Sequence, residues 1–569
     1  MTTQKLALIS RRIICEDHPM PIHGAILIKD DTIENIIPIS DIKHEILAQE
    51  YILEDLGSLC IFPGLVDLNV SFSSDGASTV TRQALSGGVT TLATTDPLEG
   101  ELFTDIASVR IISDSTLKSI KKPEHENIFA YKGYLVPQGP NPETLKDVTK
   151  ALEVCQDLPL IIHPELTTPE KMMQATPFRQ VAPEKRIFNC KIVITEEKQV
   201  YASEFRLNSD DEPEEFSESF EDDISGSESC SEDNPDIRIN DFDNEESTSK
   251  IMVQGFNSMC LNVPEREKKR VSLPTLLGVE NILVPPTVPS PRHNSVQCIG
   301  INSRPIPLQD IPFIKKGIQV EQAYHEHISK FPVDWEVAAV KKVLEIESKA
   351  QVHFCNVCSS EAVETINQLK INKEHLKVTC ETSLPYVYFT ETDVKPGDTR
   401  YKINPPIRDL GNFRNLWQMV KNQQIDCISS YHQPVNPPLK FIGDFSRAVN
   451  GVTSVGFTLQ CIWTKLRTQI PMEEESGFLS LISLILSNNP AKVLNLKNKG
   501  GIKKGKHADF VVWDPESKIK ITSTFDKFPH MSPLMGEELY GVIHRTYLRG
   551  TLVYSNNRII SKGSVLKRF

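Results

Sequence analysis

The sequence predicts an α/β protein in which βα units surround a parallel sheet, beside a small β domain that both termini build. Three observations predict it. Short apolar runs alternate with helix-like stretches over 61–174 and again over 316–499. Strand-rich, partly alternating segments occupy 1–60 and 500–569. Between the two halves, residues 175–315 break the rhythm with an acidic, serine-rich block, a basic patch and a proline-rich stretch.

In chain order, LALISRRIICED, GAILIKDDTIENIIPI and LGSLCIFPG read as short strands, with Asp30-Asp31 as a hairpin turn. The runs GLVDLNV, TTLATT, IFAYKGYLV and LPLIIHPE suit strands buried on both faces, and PETLKDVTKALEVCQ has helical spacing between them. Few aromatics, high charge and many prolines leave 175–315 too little apolar surface to offset the entropy of ordering, so a disordered insertion is expected. The βα texture resumes at EVAAVKKVLEIESKAQVHFCNVCSS, LKVTCETSL and QIDCISSYHQP, and closes on a helical SGFLSLISLILSNNPAKVLNL. HADFVVWDP, RTYLRGTLVYSN and RII then return to strands.

The 569 residues carry 62 Lys+Arg and 75 Asp+Glu, a net charge of −13. Residues 201–250 alone hold 18 acidic and 3 basic side chains, so the other 519 residues sum to +2. The acidity belongs to the insertion and says little about what the rest binds. No basic stripe with interleaved aromatics supports nucleic-acid binding. No apolar run of about 18 residues suggests a membrane span, and the N-terminus lacks a signal-peptide pattern. With 12 scattered cysteines, mostly in apolar settings such as Cys60, Cys155 and Cys461, the chain reads as cytoplasmic. Gly87-Gly88 and Gly500-Gly501 lack the spacing of nucleotide loops and read as turns.

A set of motifs carries a family resemblance: FPGLVDLNV (62–70), GGVTTLATTDPLEG (87–100), YKGYL (131–135), IIHPEL (161–166), CETSLPYVYFT (380–390), GDTRYKINPPIRD (397–409), IDCISSYHQP (425–434), SNNPAKVLNL (487–496) and GKHADFVVWDPE (505–516). In this order the set resembles the cyclic amidohydrolases, most of all allantoinase. The resemblance covers about 430 residues, nearly all outside 175–315. It implies a (β/α)₈ barrel divided between 61–174 and 316–499, and a β-sandwich divided between 1–60 and 500–569. Family members are commonly tetramers.

In that family two divalent metals, usually zinc, activate a hydroxide that opens a cyclic amide ring, as allantoin is opened to allantoate in purine catabolism. Imidazoles bind the metals, a carboxylated lysine bridges them and a carboxylate takes the proton. All project from the C-terminal ends of barrel strands, which separates them in sequence. Here the Asp-x-His-x-His of the first strand reads Asp67-Leu68-Asn69-Val70-Ser71. The bridging lysine falls on Lys132 and the next histidine on His163. The following histidine is Asn356, and the general-base aspartate is Tyr431. Of six positions, Lys132 and His163 are retained, while Asn69, Ser71, Asn356 and Tyr431 replace the others. Amide and hydroxyl side chains do not substitute for imidazole on zinc, and a phenol is a poor base at neutral pH. Asn404 and His432 match substrate-side positions, whereas the family's Cys-Pro-His-Tyr text reads Ser383-Leu384-Pro385-Tyr386.

The expectation is an allantoinase-like protein without its binuclear centre and without another cofactor. It would act as a non-catalytic scaffold or partner subunit, in a homo-oligomer or a mixed oligomer with an active relative, with proteins engaging the insertion. An active allantoinase- or hydantoinase-type hydrolase with an altered or mononuclear site is the alternative. Other metal candidates fare worse. Cys355 and His353 share a strand face that points away from Cys358, so these three read as core. His325 and His327 face apart on a helix and read as solvated. Ser209, Ser225, Ser229, Ser272 and Ser290 sit in contexts that kinases favour, although an unmodified loop fits the same text.

Overall fold

The computed structural model describes residues 5–42, 48–120, 127–137, 144–166, 323–372, 377–440, 443–469, 475–521 and 529–567, together with the backbone of five short strands between 188 and 298. The chain divides into two compact units. The first comprises Met1–Thr176, Glu321–Lys440 and Asp444–Phe569, and the second Pro177–Val320 with Phe441–Gly443.

Eight parallel strands of the first unit form the barrel: β1 (Leu65–Asp67), β2 (Val89–Thr94), β3 (Asp105–Ile112), β4 (Ile128–Tyr134), β5 (Leu160–His163), β6 (Gln351–Phe354), β7 (Lys377–Ser383) and β8 (Cys427–Ser429). Each pairs with the next in chain order. The pairing is continuous across the insertion, since Leu160 of β5 lies opposite Val352 of β6. The seam between β8 and β1 has no strand ladder. It closes just above the strands, through a parallel bridge of Val70 with His432. There the Ser71 N–H donates to the His432 carbonyl at 2.8 Å, and the Ser430 N–H donates to the Asp67 carboxylate at 3.2 Å. Val66, Ala93, Ala107, Ile161, Cys355 and Cys427 form one buried cluster. Residues from strands all around the sheet can meet only inside the barrel, and their small size suits its narrow lumen.

The termini build one sheet of nine strands, as the sequence predicts. Its junction is antiparallel pairing of Phe510–Lys520 with Cys60–Pro63, Phe510 opposite Pro63 and Trp513 opposite Cys60. Trp513 packs edge-on against Phe62 at 5.1 Å and against Trp463 at 5.7 Å. Trp463 belongs to the barrel helix Thr458–Gln469, so sheet and barrel share one apolar core. The turn predicted at Asp30-Asp31 is present, with Lys29 opposite Thr32 and Asp30 at φ 55°.

Two helices are shorter than their patterns. PETLKDVTKALEVCQ yields only Val148–Val154, whose start is capped by Asp147 accepting the Lys150 N–H at 3.0 Å. The run through 475–496 splits into Glu475–Ser483, a π-turn over Leu484–Asn488 and Asn489–Val493. Pro490 has no N–H to continue the ladder, so the helix widens before it.

The second unit contains Phe188–Ile194 antiparallel to Val200–Leu207, the short strand Val253–Gln254 parallel to the latter, and Met259–Val263 antiparallel to Asn294–Cys298. The expectation of disorder over 175–315 falls on this stretch, most of which lies outside the described residues. Ser209, Ser225, Ser229, Ser272 and Ser290 also lie outside them.

Candidate functional site

The residues matched to the family's metal positions converge at the C-terminal mouth of the barrel, on strands that the parallel ladder brings side by side. Asn69 and Asn356 lie two residues beyond β1 and β6, and Tyr431 two beyond β8. His163 ends β5, and Lys132 stands within β4 opposite Ile161. Most of their side chains lie along one chain of polar contacts. Lys132 Nζ donates to Asn69 Oδ1 at 2.9 Å. Asn69 Nδ2 donates to Asn356 Oδ1 at 2.6 Å, and Ser383 Oγ donates to the same oxygen at 2.7 Å. Asn356 Nδ2 lies 3.5 Å from His163 Nδ1, and His163 Nε2 lies 3.6 Å from Glu165 Oε2. Asn404 Nδ2 donates to that Glu165 oxygen at 2.8 Å. Tyr431 Oη donates to the Asn404 carbonyl at 2.7 Å.

This arrangement fixes protonation states. Tyr431 is a phenol acting as donor, and burial pushes its pKa well up, which removes it as a base. Burial opposes the Lys132 ammonium, yet its surroundings of Tyr134, Cys355 and Glu381 more than offset that and raise its pKa. Lys132 Nζ is held as a donor to the Asn69 amide oxygen. Asp67 is pushed up to about 7 by burial, against the pull of Ser430 and the Asn69 N–H. His432 Nδ1 accepts the backbone N–H groups of Ser454 and Val455, each at 3.1 Å, so Nε2 carries the proton. Burial lowers its pKa to about 3, which keeps the ring neutral.

A cavity of about 780 Å³ opens at this mouth, within the usual range for small-molecule sites. Asn69, Ser71, Lys132, His163, Asn356, Tyr431 and His432 all line it. Asn404 does not; it is buried behind the wall and reaches the site through Glu165 and Tyr431. Ser71 Oγ donates to Asp96 Oδ2 at 2.8 Å, and the Phe72 N–H donates to the same carboxylate oxygen.

The donor set does not fit two zinc ions. Zinc takes imidazole, thiolate or carboxylate ligands. Where these are needed the mouth presents two amides already bonded to each other, a hydroxyl, a phenol and an ammonium whose charge repels a cation. Among the described residues no group of three His, Cys, Asp or Glu side chains could hold a metal ion. His163 with Glu165 offers a single ion two donors at most.

The remaining candidates separate as their spacing predicts, with one correction. His353, Cys355 and Cys358 are buried, Cys355 in the lumen cluster and Cys358 in the main core. His325 is exposed, but His327, read as solvated, is 3% exposed. It lies among Tyr324, Phe331 and Phe445, because helix Tyr324–Ser329 turns that face onto an aromatic cluster. Sequence reasoning missed Glu165 and Asp96. Both stand inside quoted motifs, IIHPEL and TTDPLEG, and acidic residues just after buried strands were the available signal.

The chain resembles known proteins in both sequence and structure. The amidohydrolase family model matches residues 456–553. The allantoinase of Arabidopsis thaliana is 30% identical over 266 residues, 43% of this chain and 51% of the relative. The allantoinase of Escherichia coli is 31% identical over 234 residues, 40% of this chain and 50% of the relative. The matched stretches thus span about half the length of these curated relatives. Among solved structures, dihydropyrimidinase from Brevibacillus agri superposes with a TM-score of 0.63 at 16% identity, covering 99% of each chain. L-hydantoinase from Arthrobacter aurescens gives 0.64 at 16% identity, again with 99% of each chain covered. Sequence and fold together bear out the resemblance to the cyclic amidohydrolase superfamily, close to allantoinase.

Proposed function

We propose that this chain is an allantoinase-like protein that has lost the binuclear centre, holds no cofactor and works as a non-catalytic scaffold or partner subunit. Its setting would be a cytoplasmic homo-oligomer or a mixed oligomer with an active relative, and the insertion would engage protein partners. One observation carries the reading: Lys132 donates as an ammonium to Asn69 Oδ1 at 2.9 Å, where a bridging carbamate between two metals would be needed. Replacement of imidazoles by amides leaves the metal positions occupied by groups that satisfy one another. The allantoinase relatives and the hydantoinase-type fold support the ancestry of the scaffold.

The second reading is a hydrolase with an altered or mononuclear site. It is favoured by His163 and Glu165 at 3.6 Å beside a cavity that is still open. One experiment separates the two. The purified full chain is analysed for bound zinc and assayed for opening of allantoin, before and after incubation with zinc. We expect less than a tenth of an equivalent of zinc and no turnover above background. Stoichiometric zinc with turnover would replace the first reading by the second.

A further inference from the structure

At the base of the barrel, opposite the mouth, residues 561–567 leave the terminal sheet and lie along the start of β3. They are held as a short added strand, with Val565 in a parallel bridge to Ile106. The Gly563 N–H donates to the Leu102 carbonyl at 3.0 Å, the Ile106 N–H to the Ser564 carbonyl at 3.0 Å, and the Leu566 N–H to the Ile106 carbonyl at 2.9 Å. Glycine is needed at 563, because a Cβ there would sit 2.2 Å from the Thr104 carbonyl oxygen. Leu566 packs, partly buried, against the lumen cluster. A few main-chain bonds and one partly buried leucine are a small hold, of the kind that opens locally while the rest of a fold stays closed.

Ser564 couples this segment to a buried ion network. Its N–H and its Oγ both donate to Asp105 Oδ1, at 3.0 and 3.2 Å. Asp105 is 0% exposed, and its other oxygen already meets Lys499 and Arg549. Arg549 Nη2 also donates to Ser564 Oγ at 3.4 Å. Ser564 itself is exposed, as are Lys562 and Lys567. In the text Lys562-Gly563-Ser564-Val565-Leu566-Lys567-Arg568 the serine has basic residues two before it and three and four after it, a setting that basophilic kinases favour.

We propose that Ser564 is a phosphorylation site and that its phosphate releases residues 561–567 from the barrel base. A kinase transfers the γ-phosphoryl group of a nucleoside triphosphate to Ser564 Oγ. The Oγ–P bond forms, the bond to the departing nucleoside diphosphate breaks, and Oγ gives up its proton. The ester oxygen can no longer donate to Asp105, and a group of about −1.5 to −2 charge is set against a buried carboxylate. Lys499 and Arg549 are already committed to that carboxylate, so the repulsion is relieved by the exposed partner moving away. Ile106 then loses the acceptor of its N–H, and Leu566 leaves the lumen cluster. The site lies at the far end of the barrel from the mouth and stands whichever reading of the mouth holds.

The test has two arms, both on the full chain. In the first, the chain is incubated with protein kinase C and ATP, and phosphate is mapped by mass spectrometry. Phosphate on Ser564 is expected, and its absence there would overturn the site. In the second, a chain carrying phosphoserine at 564, installed during synthesis, is compared by hydrogen exchange with the unmodified chain and with Ser564→Ala. The alanine variant loses the hydroxyl bond without gaining charge, and a thermal melt verifies its fold. The Ile106 and Leu566 amides of the phosphorylated chain should exchange at least about tenfold faster than those of Ser564→Ala, with the amides of β6 and β7 unchanged. Unchanged exchange at Ile106 and Leu566 would mean that Arg549 holds the phosphate in place, and would overturn the release. Equal acceleration in Ser564→Ala would assign the effect to the lost hydrogen bond, and acceleration throughout β6 and β7 would show general unfolding. Either result would also overturn it.

Discussion

At the scale of single residues, the mouth of the barrel holds an amide and a phenol in unusual backbone conformations. Asn356 and Tyr431 both have positive φ, 57° and 54°. Asparagine adopts that conformation readily, but for tyrosine it costs about 1–2 kcal/mol. The bond from Tyr431 Oη to the Asn404 carbonyl offsets part of that cost. Two buried groups here also give opposite pH signatures. His432 titrates near 3 in the folded chain against 6.5 in model peptides, so the native state binds fewer protons in that window. Stability is therefore lost as pH falls from 6.5 toward 3. Asp67 titrates near 7 against 3.8, so the native state binds more protons between those values and stability is lost as pH rises from about 4 to 7. Urea unfolding midpoints between pH 4 and 7 test this. Relative to wild type, His432→Asn should gain stability as pH falls through the window, and Asp67→Asn should gain as pH rises. Each difference should reach a few kcal/mol across the range. Parallel curves for variant and wild type would refute the assignment.

At the scale of elements, the terminal sheet is tied to the base of the barrel by a buried ion network. Lys499 Nζ lies 2.8 Å from Asp105 Oδ2, at the start of β3, and 2.6 Å from Asp509 Oδ2, just before the strand Phe510–Lys520. Arg549 pairs with Asp105, and its backbone N–H donates to Asp509 Oδ1 at 2.7 Å. Burial alone would raise the Asp105 carboxyl, but Lys499 and Arg549 hold it below the usual range. Removing one partner leaves buried charge unpaired. Asp105→Asn should therefore cost about 3–5 kcal/mol in urea unfolding, and a loss under 1 kcal/mol would mean that the network is dispensable. These contacts were not legible in the sequence. The elements themselves were, because buried parallel strands write continuous apolar runs such as VTTLAT and helices write a 3.6-residue period. The seam was also hidden. Closure through Val70 and His432 depends on main-chain groups that no residue type announces.

At the scale of the whole molecule, the barrel, the terminal sheet and the cavity all lie in one compact unit, and 177–320 falls in another. A chain in which 177–320 is replaced by a Gly/Ser linker should keep its melting temperature to within about 4 °C, since little of the first unit's core is removed. A fall of more than about 10 °C would mean that the two units are coupled. The sequence by itself determined the α/β class and the pairing of both termini into one sheet. Buried parallel strands write continuous apolar runs, and alternating segments mark the terminal sheet. Only the tertiary structure decided which polar side chains meet at the barrel mouth. Asn69, Lys132, His163 and Asn356 are far apart in the chain, and side-chain hydrogen bonds reach about 3 Å. Whether an amide lies idle, binds a metal or satisfies a lysine is therefore set by the barrel that brings these strands side by side. Likewise, the tautomer of His432 is set because Ser454 and Val455 fold against its Nδ1.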